Sequence, residues 1–176
     1  MRRRNSEQPA EKSEFVERVL EINRVTRVVK GGKRVRFRAL VVIGDEKGRI
    51  GSGLGKSADV SGAIAKAVTA AKKQVITIFL PGSTIPYPVR THYKSAMVLL
   101  KPAPAGTGIV AGSSMRVVLE LAGIKDVVGK SLGSKNKLSN TIATINALTM
   151  LIDPKELMQR RGMSSTAAAK IIKSDK

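Results

Sequence analysis

The segment between Ile22 and Gly44 holds seven basic residues and no acidic one, a composition suited to binding anions. The seven are Arg24, Arg27, Lys30, Lys33, Arg34, Arg36 and Arg38. The last three alternate with apolar residues in a predicted strand over 34–43, so they share one face of that strand. Guanidinium groups on one face repel each other unless an anion lies against them, and arginine forms bidentate hydrogen bonds with phosphate. The spacing therefore predicts contact with a nucleic-acid backbone; the alternative is a solvated edge strand whose charges discourage aggregation.

The whole chain of 176 residues has the same bias, with 32 Lys and Arg against 13 Asp and Glu, a net charge of +19 and an isoelectric point near 10.8. A charge of this size indicates an anionic partner, most commonly nucleic acid, with a membrane surface as the second possibility. No apolar run approaches the roughly 18 residues that span a bilayer, and the N-terminus lacks the apolar stretch of a signal peptide. The chain has no cysteine, which excludes disulfides and thiolate metal sites and agrees with a reducing compartment. These features predict a cytoplasmic protein that binds nucleic acid.

Aromatic residues are scarce, since the chain has no Trp, three Phe and two Tyr. Proteins that bind single strands commonly stack bases on aromatic rings, and so few rings cannot form such a platform. The composition therefore favours recognition of the backbone and shape of folded or double-stranded nucleic acid.

The N-terminal half is predicted to form a three-stranded antiparallel sheet with one helix, over residues 14–75. Residues 1–13 are polar and are predicted to be a disordered basic arm. A strand ends near Lys30, a turn follows at Gly31-Gly32, and strands at 34–43 and 49–53 are joined by a glycine turn at 44–48. Ser57 is expected to cap a helix with the apolar stripe Val60, Ile64, Val68, Ala71 and Val75. The helix covers one face of the sheet in this prediction, and the arginines occupy the other, free face.

A second α/β domain is predicted over residues 76–153, after a strand-like segment at 75–80 and a stretch rich in proline. It contains a buried strand at 95–100, a Pro/Gly-rich loop at 101–112, a helix at 113–122, a short strand at 126–129 and a helix at 139–151. The last helix is stopped by Asp153-Pro154. Residues 154–176 are predicted to be a basic tail, and the fold class predicted for the chain is α+β.

The segment Gly51-Ser-Gly-Leu-Gly55-Lys56-Ser57 precedes a helix and invites comparison with the phosphate-binding loop of nucleotide hydrolases. That loop needs four residues between its first glycine and the Gly-Lys-Ser triplet, and the spacing here fails by one. No acidic residue that could hold Mg²⁺ occurs between Asp59 and Glu120. The loop is therefore predicted to approach an RNA phosphate through Gly53, Gly55 and Lys56, with a plain strand-to-helix turn as the alternative. The other predicted RNA-binding residues in this part of the chain are Arg49, Lys72 and Lys73.

The segment 106–112 is a second glycine-rich loop before a helix, but its spacing, G-x-G-x-x-x-G, differs from that of a dinucleotide-binding loop. Packing against RNA or a protein neighbour is the expected role. His92 is the only histidine in the chain, and neither a cysteine nor a nearby carboxylate can form a catalytic dyad or a metal site with it. The sequence thus predicts no enzyme activity, no metal and no cofactor.

Several motifs occur in one order along the chain: Lys30-Gly-Gly-Lys-Arg34, Phe37-Arg-Ala-Leu-Val-Val-Ile-Gly-Asp45, Gly48-Arg-Ile-Gly51, Gly53-Leu-Gly55-Lys56, Gly106-Thr-Gly-Ile-Val-Ala-Gly112, Met115-Arg116 and Leu119-Glu-Leu-Ala-Gly123. Together they resemble the family of the fifth protein of the bacterial small ribosomal subunit, over about residues 15–162. The resemblance implies an N-terminal domain like those that bind double-stranded RNA. It also implies a second domain of ribosomal α/β type with a left-handed βαβ crossover, against the usual right-handed rule.

The resemblance also implies partners and sites. Members of the family bind small-subunit ribosomal RNA near the junction of body and head, touch the fourth and eighth small-subunit proteins, and lie by the messenger RNA entry path, where they affect decoding accuracy. By position, the loop 30–34 matches the family's RNA-inserting hairpin near the spectinomycin site. The residues that match the part facing the fourth protein are Gly106, Thr107, Gly108, Gly112 and Arg116. On the residues alone two other classes stay open, a free-standing module for double-stranded nucleic acid and a nucleotide-dependent enzyme.

Overall fold

The computed structural model describes residues 14–153 together with Glu156 and Arg160. The arm predicted over 1–13 lies outside the described residues, as does most of the tail predicted over 154–176. Within the described part, no helix is long and apolar enough to cross a membrane.

Four antiparallel strands and one helix form the N-terminal half. The strands are β1 (Val16–Val29), β2 (Gly32–Gly44), β3 (Arg49–Ser57) and β4 (Ile76–Thr77), and they lie side by side in that order. Helix α1 (Val60–Lys72) follows β3. The predicted succession of three strands and a helix is present, and the short β4 extends the sheet by one strand. Because β3 continues to Ser57, the N-cap position falls on Asp59, and the predicted cap at Ser57 is wrong.

Small residues let α1 lie close to β3. Gly53 and Gly55 are buried and face the helix, and a Cβ at Gly53 would overlap the carbonyl oxygen of Ala67. The helix turns mainly small side chains to the sheet, since its buried residues are Ala63, Ala67, Val68 and Ala71. Of the predicted stripe, Val68 and Ala71 are buried and Ile64 and Val75 pack at the edge of the same cluster. The prediction missed Ala63 and Ala67, whose small side chains allow the close approach of the two backbones over β3.

The C-terminal half is a mixed sheet with two helices. Its strands are β5 (Val89–Tyr93), β6 (Ala96–Pro102), β7 (Ile109–Val110) and β8 (Val127–Ser131), in the spatial order β5-β6-β8-β7. β7 and β8 are parallel and helix α2 (Ser113–Ala122) connects them, so the expected βαβ unit is present; its hand stays a prediction. Helix α3 (Lys137–Thr149) follows β8. The sequence analysis missed β5 and β7, since one directly follows prolines and the other is two residues long within a glycine-rich segment.

The two halves share an apolar core. Val42 of β2 and Ile50 of β3 pack in the same cluster as Leu119 of α2. The β2–β3 turn is also fixed to the end of α2, because the N–H of Glu46 donates to the carbonyl of Leu121 at 3.0 Å. The sheet face opposite α1 was expected to be free. That expectation is wrong for the half of the face around Val42, which the C-terminal half covers, and only the far end of the face stays open.

Candidate nucleic-acid interface

The β1–β2 hairpin projects beyond the rest of the N-terminal sheet. The last residue of β3, Ser57, pairs with Phe37, so no third strand of the described residues pairs with the hairpin beyond that point. The projecting part runs from the pair Val25–Arg36 to the pair Val29–Gly32, and we call it the ribbon. At about 3.4 Å per residue the ribbon is about 14 Å long.

A glycine turn closes the ribbon. Gly31 has a φ of +85° and Gly32 a φ of +151°. A Cβ at either position would meet no atom within 4 Å, so glycine is required by the backbone conformation and not by crowding. The turn predicted at Gly31-Gly32 is present.

One face of the N-terminal sheet carries five cations on three strands. Directly paired residues of an antiparallel sheet point to the same side, and the register pairs Arg27 with Arg34 and Arg38 with Lys56. Arg36 lies between the two pairs on the same side of β2. We call these five residues the arginine face. None of the five forms an ion pair with a carboxylate of the described residues.

The like-charged pairs make this face unfavourable without a partner. Side chains paired across strands have Cβ atoms about 5 Å apart, and like charges at that distance destabilise a sheet. A shallow depression runs over the face and is lined by Val25, Thr26, Arg27, Val29, Arg34, Arg36 and Lys56. An anion in this depression would contact several of the cations at once.

The other basic residues of the segment lie elsewhere on the hairpin. Lys30 is in the turn, while Arg24 pairs with Phe37 and Lys33 pairs with Val28. Phe37 packs against the cluster under α1, so Arg24 and Lys33 point to the helix side of the sheet. The structure therefore divides the seven residues of the motif between two faces and a tip.

Arg49 lies away from the ribbon and is neutralised within the protein. Its Nε donates to Asp45 at 2.6 Å, its Nη2 lies 3.8 Å from Glu14, and its guanidinium carbon lies 5.0 Å from the centre of the Phe15 ring. Burial raises the pKa of Asp45, but hydrogen bonds from Arg49 and Lys47 outweigh it and hold the pKa below its usual 3.8. Arg49 therefore stabilises the β2–β3 turn, and the structure gives no support to the RNA contact predicted for it.

Lys72 and Lys73 also lie far from the arginine face. Lys72 is 3.9 Å from Glu17, and Lys73 is the C-cap residue of α1. This end of the helix lies over Gly51, at the end of the sheet opposite to the ribbon. The two lysines are not brought together with the ribbon cations.

Two further predicted contact residues are inside the domain. Gly53 and Gly55 are buried beneath α1, so the structure gives them a packing role in place of the RNA contact predicted for their backbone. Lys56, from the same loop motif, is exposed on the arginine face.

The second glycine-rich loop is organised by a residue that the sequence analysis did not connect with it. The carboxylate of Asp126 accepts hydrogen bonds from the N–H groups of Gly106 at 2.9 Å and Gly108 at 3.0 Å. Both glycines have a positive φ, +90° and +73°. The hydrogen bond from Gly108 lowers the pKa of Asp126, burial opposes it, and hydrogen bonds from Ser83 and Gly106 lower it further. The loop is thus held in one shape, with Thr107 exposed at its tip.

The remaining members of the predicted protein interface lie next to this loop. Gly112 is the N-cap residue of α2, and the N–H of Arg116 donates to its carbonyl at 2.8 Å. The Arg116 side chain is exposed. His92 is exposed on β5, and within the described residues no group of three or more His, Cys, Asp or Glu side chains could hold a metal.

An antiparallel sheet with a helix, followed by an α/β unit, and a projecting cationic ribbon are the features of a nucleic-acid-binding protein. Residues 15–79 match the sequence model described as ribosomal protein S5, N-terminal domain, and residues 91–161 match that of ribosomal protein S5, C-terminal domain. The chain is 47% identical over 165 residues to the small ribosomal subunit protein uS5 of Protochlamydia amoebophila (strain UWE25), covering 91% of this chain and 99% of the relative. The chain belongs to the ribosomal protein S5 family.

Membership of the family confirms the resemblance and several predictions made with it. The protein is a structural, non-enzymatic constituent of the small ribosomal subunit, and its place is in the cytoplasmic translation machinery. The α+β fold class is confirmed too, with an antiparallel sheet and helix followed by an α/β unit. The domain limits of 14–75 and 76–153 stay predictions.

Proposed function

We propose that the ribbon and the arginine face bind small-subunit ribosomal RNA through its phosphates, near the junction of body and head and the messenger RNA entry path. The observation that supports this proposal most is the pairing of Arg27 with Arg34 and of Arg38 with Lys56, without carboxylate partners in the described residues. A sheet that only needed solubility would not place like charges directly opposite each other twice. An RNA backbone neutralises both pairs and releases its counterions.

The spacing of the cations suits a chain of phosphates better than a single one. Along β2 the arginines at 34, 36 and 38 are about 7 Å apart, and their partners on the neighbouring strands are about 5 Å away. The charges therefore cover an area on the order of 10 Å by 14 Å. A single phosphate reaches only part of this surface, whereas a backbone can follow it.

The aromatic residues support recognition of the backbone and not of stacked bases. Phe15 lies under Arg49, Phe37 packs beside α1, and the hydroxyl of Tyr87 donates to the carbonyl of Met150 at 3.0 Å. Among the described residues, no aromatic ring lies on the arginine face. Specificity then has to come from the shape of the folded RNA around the ribbon.

Reconstitution of small subunits tests this proposal. Subunits assembled with the variant Arg34→Ala, Arg36→Ala and Arg38→Ala are expected to lose the protein in a high-salt wash and to assemble incompletely, because most of the arginine face is gone. The variant Lys66→Ala, an exposed helix residue away from the ribbon, serves as the control. Full retention of the triple variant after the wash would contradict the proposal. If the wild-type protein binds naked double-stranded RNA but is washed off small subunits, the free-standing module is favoured instead.

The loop 106–116 is proposed to face the fourth small-subunit protein, with the eighth protein as a further neighbour. Asp126 fixes the loop from inside the domain, so the exposed tip and Arg116 can meet a partner without first becoming ordered. An exposed ion pair made by Arg116 is worth about 0–1 kcal/mol. Such a weak contact suits an interface whose loosening affects decoding accuracy.

The variant Arg116→Glu tests the interface. We expect it to fold and bind RNA normally but to raise misreading in a reporter assay, since the reversed charge repels a carboxylate partner. The matched control is Lys66→Glu, an exposed residue of α1 outside the loop. Wild-type fidelity in subunits fully loaded with the Arg116 variant would refute the interface.

A further inference from the structure

The C-terminal sheet has one face that no described element covers. Its inner side chains, among them Val98, Leu100 and Val127, pack in the core with α2 and α3. The side chains that alternate with them point to the opposite side. The register joins them into rows, pairing Arg90 with Leu99, Leu99 with Lys130, and Lys101 with Val128. We call this surface the open sheet face, formed by Arg90, His92, Met97, Leu99, Lys101, Val110, Val128 and Lys130.

The open sheet face mixes aliphatic side chains with cations. Met97, Leu99 and Val128 are half-buried. Leu99 pairs with Arg90 and Lys130, Val128 pairs with Lys101, and Met97 pairs with His92. The guanidinium of Arg90 rests on the sulfur of Met97, at 3.1 Å from Nε and 2.8 Å from Nη2. Among the described residues, the strands β5, β6 and β8 contribute no Asp or Glu to this face.

This composition differs from that of the arginine face. There the cations lie directly opposite one another, whereas here an aliphatic side chain separates Arg90 from Lys130. Phosphates and riboses gain little from aliphatic surface, and among the described residues this face has no Phe, Tyr or Trp ring on which a base could stack, its one ring being that of His92. Met and Arg are instead enriched at protein interfaces, where an apolar centre lies within a polar rim.

We propose that the open sheet face is a docking surface for a protein segment that carries aliphatic side chains flanked by carboxylates. The aliphatic residues cover Met97, Leu99 and Val128, and the carboxylates meet Arg90, Lys101 and Lys130. Charge complementarity selects an acidic partner, because three cations without a local acidic residue repel a basic segment and gain no ion pair from a neutral one. The inference rests on membership of the small subunit and not on the ribbon proposal, so either can fail without the other.

A photo-reactive amino acid tests the occupant in assembled, purified small subunits. Benzoylphenylalanine replaces Leu99 in one variant and Lys130 in a second, which gives the same readout if the change at Leu99 disturbs the sheet. The expected adduct is with a protein segment in which aliphatic residues and Asp or Glu lie within a few positions of the cross-linked site. Adducts with nucleotides, with a segment lacking carboxylates, or with nothing at all overturn the proposal. Benzoylphenylalanine in place of Lys66, which lies outside the open sheet face, measures the background of non-specific cross-linking.

Charge reversal then tests the role of the cations. The double variant Lys101→Glu, Lys130→Glu is expected to lower the yield of the peptide adduct from position 99 about tenfold, because two favourable pairs become repulsive. The control Lys66→Glu, Lys125→Glu changes the net charge equally and is expected to leave the yield unchanged. Equal yields from both variants overturn the proposal. The salt dependence of RNA binding is unaffected by either outcome, which separates this test from that of the ribbon.

Discussion

Replacing Arg34, Arg36 and Arg38 with alanine removes three of the five charges of the arginine face, and we expect RNA binding to become less sensitive to salt. Each phosphate contact releases counterions, so that affinity falls with salt with a log–log slope of about −0.9 per contact. Five contacts give a slope of about −4.5, and the two that remain give about −1.8. Between about 50 and 200 mM salt, this face then weakens wild-type binding about 500-fold and variant binding about 12-fold.

The assay is equilibrium binding of the full chain to labelled small-subunit ribosomal RNA across this salt range. The matched control removes the same charge from the open sheet face, with Arg90→Ala, Lys101→Ala and Lys130→Ala, and is expected to keep the wild-type slope. Equal flattening by both triple variants would show that only the net charge of +19 matters. An unchanged slope in the arginine-face variant would show that these arginines face solvent, and the reasoning from paired cations would be refuted.

Three further predictions concern the scaffold. Gly31→Ala is expected to destabilise the hairpin by about 1–2 kcal/mol, because the φ of Gly31 is +85°. The control is Gly82→Ala, since a Cβ at Gly82 also meets no atom within 4 Å but its φ is not positive. Equal amide exchange at Val29 in the two variants would contradict the argument. Gly53→Ala is expected to cost about 1–3 kcal/mol in urea unfolding, since its Cβ overlaps the carbonyl of Ala67; an unchanged midpoint would show that α1 can move away freely. Asp126 has a lowered pKa, so its contribution to stability is present above the usual 3.8 and is lost as the pH falls through the folded value. The protection of the Gly106 and Gly108 amides, measured as the exchange rate relative to the intrinsic rate at the same pH, is therefore expected to fall in that acid range. In Asp126→Asn this protection is expected not to change with pH, and equal pH dependence in the two proteins would contradict the argument.

Local patterns were sufficient to predict much of the N-terminal half. The alternation from Arg34 onward gives the faces of β2, and the double glycine gives the turn, because both depend only on neighbouring residues. The pattern could not show that Gly53 and Gly55 lie under α1, since a glycine looks the same in a loop and beneath a helix. It also could not show that Arg49 is used internally, because its partners become neighbours only when the chain folds.

Long-range contacts explain most of what the sequence analysis missed. The cover on the face around Val42 comes from a helix some seventy to eighty residues further on, and the partner of the Gly106 loop is Asp126, in another element. The open sheet face depends on β5, whose position after a run of prolines hid it from the periodicity. Tertiary packing, and not local propensity, decides these features.

The most direct test of the central claim is a map of RNA contacts on the protein in intact small subunits, made by ultraviolet cross-linking and mass spectrometry of the peptide–nucleotide adducts. We predict that adducts concentrate in residues 24–38 and at Lys56, with few on the open sheet face. Adducts spread evenly over the basic residues, or concentrated on Arg90, Lys101 and Lys130 while the ribbon stays unmodified, would contradict the account.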